Sequence, residues 1–160
     1  MNRGTTLFLK IAVILIGLPV LAICIFLVPE IGIFAAELFP DFPYIKYLVL
    51  IDLYASAIPF YYALYQAFKL LNYIDGNKAF SDLSVRALHK IKFCAVAICI
   101  FYAAGMPLFY LMAEVDDAPG IIVIGLVVIF ASMVIAVFAA VLQRLLQEAI
   151  DIKSENDFTV

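Results

Sequence analysis

Residues 120–142 read GIIVIGLVVIFASMVIAVFAAVL, and no charged side chain interrupts them. A helix crosses a bilayer core of about 30 Å with about 20 consecutive apolar residues. Three further stretches meet this requirement, at 7–28, 47–71 and 91–113. Strands of a membrane barrel alternate polar and apolar residues, whereas these stretches are apolar all round. We therefore predict an all-α integral membrane protein with a single four-helix transmembrane bundle over residues 1–160.

The composition excludes a soluble enzyme. Of the 160 residues, 67% are apolar and 14% are charged, whereas soluble domains have about 45–50% apolar and about 25% charged residues. A soluble domain of this size leaves a large part of its surface in water, so it cannot hide this many apolar side chains. Intrinsic disorder requires low hydrophobicity and high charge, and is excluded as well.

Basic residues are distributed unevenly around the four spans. Nine of the ten Lys and Arg residues lie in the two terminal flanks and in the loop between spans two and three, or at the span ends next to them. Lys46 is the exception, and its side of the membrane carries acidic residues such as Glu30, Glu37 and Asp41. Lys and Arg concentrate on the cytoplasmic side of membrane proteins. We therefore predict that both termini are cytoplasmic.

Two of the predicted spans are expected to continue as helices into the cytoplasm. The residues Asp75-Gly76-Asn77 are typical of a turn, and Ser81 can cap a helix that runs into span three. After span four, residues 143–155 contain no glycine or proline to end the helix.

The two extensions carry opposite charges. The one before span three carries Arg86 and Lys90, and the one after span four carries Glu148, Asp151 and Glu155. They can pair and form a small platform, or remain solvated helix ends whose basic residues anchor at anionic lipid headgroups.

Asp52 is the acidic residue that lies well inside a span. A carboxylate at such a position is by default a candidate functional group. We expect either a structural or interfacial role near Lys46 and Tyr47, or an ion or proton role in a small transporter or channel component. A transporter usually has several polar groups near the bilayer midplane, so the structural role is favoured.

Prolines and small residues are expected to shape the packing of the spans. Three prolines, each of which removes a backbone hydrogen bond, lie inside spans: Pro19, Pro59 and Pro107. Span four carries a stripe of small residues that permits close helix contact: Ser132, Ala136 and Ala140. The stripe fits packing inside the bundle, which we favour, or a homo-oligomer.

No arrangement of residues indicates catalysis. The three cysteines show no C-x-x-C spacing, and His89 is the single histidine. We therefore expect no catalytic residues, no metal, no cofactor and no enzymatic activity. Direct binding of nucleic acid is not expected either, because the chain has no soluble basic domain.

Two short motifs carry a resemblance to a known family. One is Gly76-Asn77-Lys78-Ala79-Phe80-Ser81, followed by a helix with Leu88 and Ile91, and the other is the terminal Glu155-Asn156-Asp157-Phe158-Thr159-Val160. With its four spans, the chain resembles the bacterial membrane domain-of-unknown-function family 2975, in which a leucine replaces Phe158.

The resemblance implies a bacterial inner-membrane (plasma-membrane) protein without assigned enzymatic activity. Members of such a family often accompany a small helix-turn-helix regulator, which implies a cytoplasmic protein partner that regulates transcription. The leading hypothesis is a non-enzymatic protein whose cytoplasmic face binds this partner, and the alternative is the transporter or channel component that uses Asp52. The candidate partner-binding residues are Gly76, Phe80, Ser81, Arg86, Glu155, Asn156, Asp157 and Phe158.

Overall fold

The computed structural model describes residues 3–158, and in this part of the chain every regular element is a helix. The elements are α1 (Arg3–Ala22), a π-helical turn (Ile23–Leu27), α2 (Val28–Leu38), α3 (Tyr44–Asp75), α4 (Asp82–Asp116) and α5 (Gly120–Phe158). The first three form one continuous rod, here called the first rod, of 36 residues. The resulting four rods are each long and apolar enough to cross a membrane, which confirms the predicted membrane fold.

Each predicted span lies inside one rod, and each rod extends beyond its span. Residues 29–38, between the predicted spans one and two, are not a loop but belong to helix α2. The expectation of helical extensions before span three and after span four is confirmed, since α4 begins at Asp82 and α5 continues to Phe158.

The first rod remains helical through Pro29 because its backbone widens into a π-helical turn just before that residue. The Val28 N–H donates to the Ile23 carbonyl, five residues back, as in other π-helical bulges. In this register the Cys24 carbonyl would accept from residue 29, but a proline has no N–H to donate. The Tyr54 hydroxyl of α3 donates to that carbonyl at 2.9 Å instead. A side chain of the neighbouring helix thus replaces the missing backbone hydrogen bond.

The helices α3 and α4 end in the same way, with a residue in the left-handed region. These residues are Asn77 at φ 59° and Asp117 at φ 52°. After α3, the Lys78 N–H donates to the Tyr73 carbonyl at 2.7 Å, which is the long hydrogen bond of a Schellman cap. The predicted turn after span two is therefore confirmed.

The rods pack in the order of the chain. The first rod packs on α3, α3 on α4, and α4 on α5. In addition α2 touches α4, so three helices meet at the end of the molecule that holds the loops 39–43 and 117–119. A cluster of buried apolar residues lies at this end and consists of Ala35, Ile45, Val49, Phe109 and Met112.

Glycines allow close approach where the helices cross. A Cβ atom at Gly32 of α2 would lie 2.8 Å from the Leu50 side chain of α3. A Cβ atom at Gly125 of α5 would lie 2.8 Å from the Met106 sulfur of α4. Small residues at interfaces are the usual means by which membrane helices gain van der Waals contact.

The small-residue stripe of span four faces inward at Ser132, which is buried against the bundle. Nearby, the Cys99 thiol of α4 donates to the Ile129 carbonyl of α5 at 3.5 Å. Ala136 and Ala140 are half-buried. The structure thus uses this stripe for packing between α4 and α5.

The other end of the molecule holds both termini of the described region and the loop 76–81. It also carries nine of the ten basic residues. At this end the Lys10 ammonium and the Asp75 carboxylate form an ion pair at 2.8 Å, which joins α1 to the end of α3. We call this end the basic end, and its cytoplasmic location stays a prediction.

We expect Tyr54→Phe to lower the free energy of unfolding by about 1 kcal/mol, because the Cys24 carbonyl loses its donor. Reversible unfolding in detergent micelles measures this change. Tyr47→Phe is the matched control, since the Tyr47 hydroxyl makes no hydrogen bond within residues 3–158 and its side chain is exposed. Equal stabilities of the two variants would show that the Tyr54 bond does not support the widened helix.

Candidate functional site

The motif 76–81 forms a fixed loop at the basic end. The hydroxyls of Ser81 and Ser84 both donate to the Lys78 carbonyl. Ser84 is completely buried, so these two hydrogen bonds hold the loop against the start of α4. Ser81 occupies the predicted N-cap position, but our expectation for its side chain was wrong: the hydroxyl bonds to the loop and not to a helix N–H.

Two of the candidate partner-binding residues therefore have a structural role in the loop. Gly76 ends α3, and its N–H donates to the Asn72 carbonyl at 3.0 Å. Ser81 holds the loop through Lys78. Phe80 and Arg86, in contrast, are exposed, and they are available to contact a partner or the headgroup region.

The last turns of α5 extend beyond the rest of the bundle. Val85, in the first turn of α4, and Gln147 of α5 line the same groove. These two residues therefore lie at about the same level along the antiparallel helices. Since α4 begins at Asp82, residues 151–158 of α5 extend past it by about 12 Å. All of these residues are exposed. We call residues 151–158 the overhang.

The candidate residues Glu155, Asn156, Asp157 and Phe158 all lie in the overhang. Phe158 is 88% exposed, the largest value among the exposed large apolar side chains of the described region. Thr159 and Val160 of the terminal motif lie outside the described residues. The structure therefore places the loop motif and the terminal motif at the same end, one as a packed loop and the other as a projecting helix.

The acidic and basic extensions do not pair with each other. In the part of the chain that the structure describes, no ion pair joins α4 to α5. Two acidic residues of α5 interact within their own helix, through the contacts Arg144–Glu148 and Gln147–Asp151. Lys90 lies on the side of α4 that faces α3. The helical phase of α4 thus turns this basic side chain away from α5.

Asp52 lies between α3 and α4, directly against Gly105. A Cβ atom at Gly105 would lie 2.5 Å from the Asp52 Oδ2 atom. That oxygen is buried and has no hydrogen-bond partner within residues 3–158. Tyr102 of α4 and Ser56 of α3 are the polar neighbours in this part of the interface.

Gly105 and Tyr102 were not among the residues predicted for this site. A glycine inside a helix is a signal of close approach, because glycine there is otherwise unfavourable. The residue that approaches Gly105 lies on another helix, more than fifty positions away, so spacing does not reveal it. We expected Asp52 to lie near Lys46 and Tyr47, and the structure places it against Gly105 and beside Tyr102 of α4.

No group of three or more His, Cys, Asp or Glu side chains that could hold a metal ion occurs within residues 3–158. The three cysteines are free thiols, and Cys94 is buried. The chemistry available at the two candidate sites is therefore recognition by exposed side chains at the basic end, and a single carboxyl group between α3 and α4.

Comparison with known proteins gives two matches. Residues 30–160 match the family described as protein of unknown function DUF2975. The chain is also 78% identical to the uncharacterized membrane protein YoaS of Bacillus subtilis (strain 168) over 160 residues, which is 100% of both chains. No solved structure is significantly similar to the chain. The family match confirms the resemblance indicated by the loop motif and the terminal motif, which both lie inside the matched range.

We expect Gly105→Ala to destabilise the protein by about 1–3 kcal/mol, because the new methyl group overlaps the Asp52 carboxyl. In an Asp52→Ala background the same change should cost less, because only the 3.2 Å contact with the Phe109 ring remains, which gives a coupling energy of about 1 kcal/mol or more in a double-mutant cycle.

Unfolding in detergent measures each corner of this cycle. Gly120→Ala is the control, since a Cβ atom at Gly120 meets nothing within 4 Å. Additive effects of the Gly105 and Asp52 substitutions would contradict the contact.

Proposed function

The chain belongs to the DUF2975 family of proteins of unknown function, and we propose that it is a non-enzymatic docking protein of the bacterial plasma membrane. In this proposal both termini are cytoplasmic, and the overhang of α5 binds a soluble partner. The observation that supports it is the projection of residues 151–158, all of them exposed, beyond the start of α4.

The overhang has apolar side chains in a place where lipid does not cover them. Exposed apolar residues in the middle of α5 face acyl chains, as expected for a membrane helix. Ile152 and Phe158 instead lie beyond the level of Asp82, in the polar zone of the basic end. We propose that a partner buries Phe158 as an aromatic anchor.

The charge of the overhang indicates the chemistry of its partner. Asp151, Glu155 and Asp157 are acidic, and Lys153 is the one basic residue among them. Such a segment attracts a basic surface, and the attraction weakens as salt screens it. DNA-binding regulators carry basic surfaces. A small helix-turn-helix regulator, which the family resemblance implies, therefore fits the charge of the overhang.

Removal of residues 155–160 should abolish recovery of the partner and leave the bundle folded. The experiment compares the full chain with a chain that ends at Ser154, both purified in mild detergent, and identifies bound proteins by mass spectrometry. A helix-turn-helix regulator recovered with the full chain alone supports the proposal. Equal recovery with both chains would rule out the overhang as its binding site.

A single substitution tests the same surface without truncation. We expect Phe158→Ala to weaken partner binding by roughly 30-fold, since a central aromatic anchor contributes about 2 kcal/mol. Phe130→Ala is the matched control, because Phe130 is also exposed on α5 but lies within its apolar span. Binding is measured by titration of the recovered partner, and equal losses in the two variants would contradict a specific role for Phe158.

A second candidate function rests on the unpartnered Oδ2 atom of Asp52. A buried carboxyl oxygen without a hydrogen bond is unfavourable, and ionisable groups inside membranes often mark pathways for ions or protons. We propose as the alternative that Asp52 binds a proton or a cation in a small transporter or channel component.

Flux measurements in proteoliposomes distinguish this alternative from the docking role. It predicts that Asp52→Asn, which keeps the shape of the side chain and removes its charge, changes flux or its ion dependence. Asp41→Asn serves as the matched control, because it removes the same charge at an exposed position in the loop 39–43. Absence of flux through the wild type under a panel of ions and potentials would eliminate the transport function.

A further inference from the structure

An apolar groove of about 480 Å³ lies between α3 and α4 on the side of the basic end. Ala55 of α3 and Ala97 of α4 are small and leave space between the two helices. Phe93 and Phe101 line the groove along α4, and Pro59 lies beside it on α3. Because Pro59 has no N–H, α3 lacks one backbone hydrogen bond at this place, which favours a bend.

Cationic side chains stand at one end of this apolar groove. Lys90 lines the groove, and Arg86 lies one helical turn before it on the same face of α4. Neither residue forms an ion pair within residues 3–158. On α3, about two turns beyond the lining residue Tyr62, the Lys69 ammonium lies 5.5 Å from the centre of the Tyr65 ring. The nearest acidic residue along this face of α4 is Asp82, one turn beyond Arg86.

A hydrogen-bond donor also faces the groove without a partner. Tyr62 lines the groove, and its hydroxyl makes no hydrogen bond in the described part of the chain. Its ring lies beside that of Tyr65, with 6.5 Å between the ring centres. Amphipathic aromatic residues of this kind are enriched where the hydrocarbon core meets the headgroups.

The length of the groove matches one leaflet of a bilayer. Phe101 lies eleven residues after Lys90, which corresponds to about 17 Å along a helix. Half of a bilayer core is about 15 Å. The cationic end of the groove thus lies at the membrane surface when its apolar end lies near the midplane.

We propose that this groove binds one acyl chain of an anionic phospholipid, and that Lys90 and Arg86 bind its phosphate group. The apolar lining takes the acyl chain, and the unpaired cations at the mouth take the negative charge. A zwitterionic lipid supplies the same acyl chain without net charge, so the proposal predicts selection by headgroup. The site is independent of the overhang, because it faces α3 rather than the end of α5.

Native mass spectrometry of the purified full-length chain tests this site. The protein is equilibrated in mild detergent with equal amounts of phosphatidylglycerol and phosphatidylcholine that carry the same acyl chains. We expect the wild type to retain phosphatidylglycerol preferentially, and Lys90→Gln to reduce the ratio of the two lipids about fivefold. Lys46→Gln is the matched control, since Lys46 is the basic residue at the opposite end, and it should leave the ratio unchanged.

A substitution that fills the groove tests the position of the acyl chain. Ala97→Phe should lower retention of both lipids, whereas Val96→Phe, on an exposed neighbouring position of α4, should not. Arg86→Gln provides a second headgroup variant at an exposed position that does not disturb packing.

Several outcomes would overturn the proposal. Equal retention of the two lipids by the wild type, or equal effects of the Lys90 and Lys46 substitutions, would show that no headgroup is selected at the mouth. Lipid retention unchanged by Ala97→Phe would place the acyl chain elsewhere. Stronger retention of free oleate than of phosphatidylglycerol would assign the groove to a fatty acid, and dimers that form as lipid is lost would assign it to a second copy of the chain.

Discussion

Every backbone polar group that crosses the hydrocarbon core must find its hydrogen bond inside the protein. The first rod depends on this constraint most directly, because Pro29 leaves the Cys24 carbonyl without a helical donor. Tyr54 supplies the donor, and Tyr61 donates in the same way to the Gly17 carbonyl at 2.8 Å. Two tyrosine hydroxyls of α3 thereby connect the first rod to its neighbour, in addition to the Lys10–Asp75 ion pair and the packing of Gly32 on Leu50.

The remaining contacts depend on shape, since lipid gives apolar side chains no reason to prefer each other over acyl chains. Glycines at helix crossings allow this close contact, at Gly32 against Leu50 and at Gly125 against Met106. The rods then pack in chain order, so α5 has α4 as its main neighbour. A row of this kind leaves much apolar surface facing lipid and leaves the groove between α3 and α4 open along one side.

The two family motifs have different physical roles. The loop 76–81 has a structural role. Its conformation is fixed by a Schellman cap at Asn77 and by the hydroxyls of Ser81 and Ser84, which both donate to the Lys78 carbonyl. The terminal motif lies on a helix that extends past its neighbour and exposes every described side chain. The exposed side chains at the end of α5 are the surface on which the proposed docking function rests.

The sequence alone determined the helices, their number, and the asymmetry of charge, because hydrophobic length and the positions of Lys and Arg are local properties. It also determined the turn at 75–77 and the continuation of α5, since no helix-breaking residue follows Leu142. Only the tertiary structure decided that Asp52 meets Gly105, that Tyr54 completes the helix around Pro29, and that the basic and acidic extensions do not pair. These features depend on which helix faces are in contact. Spacing along the sequence predicts which residues share a face of one helix, but it does not predict which faces of two helices pack together.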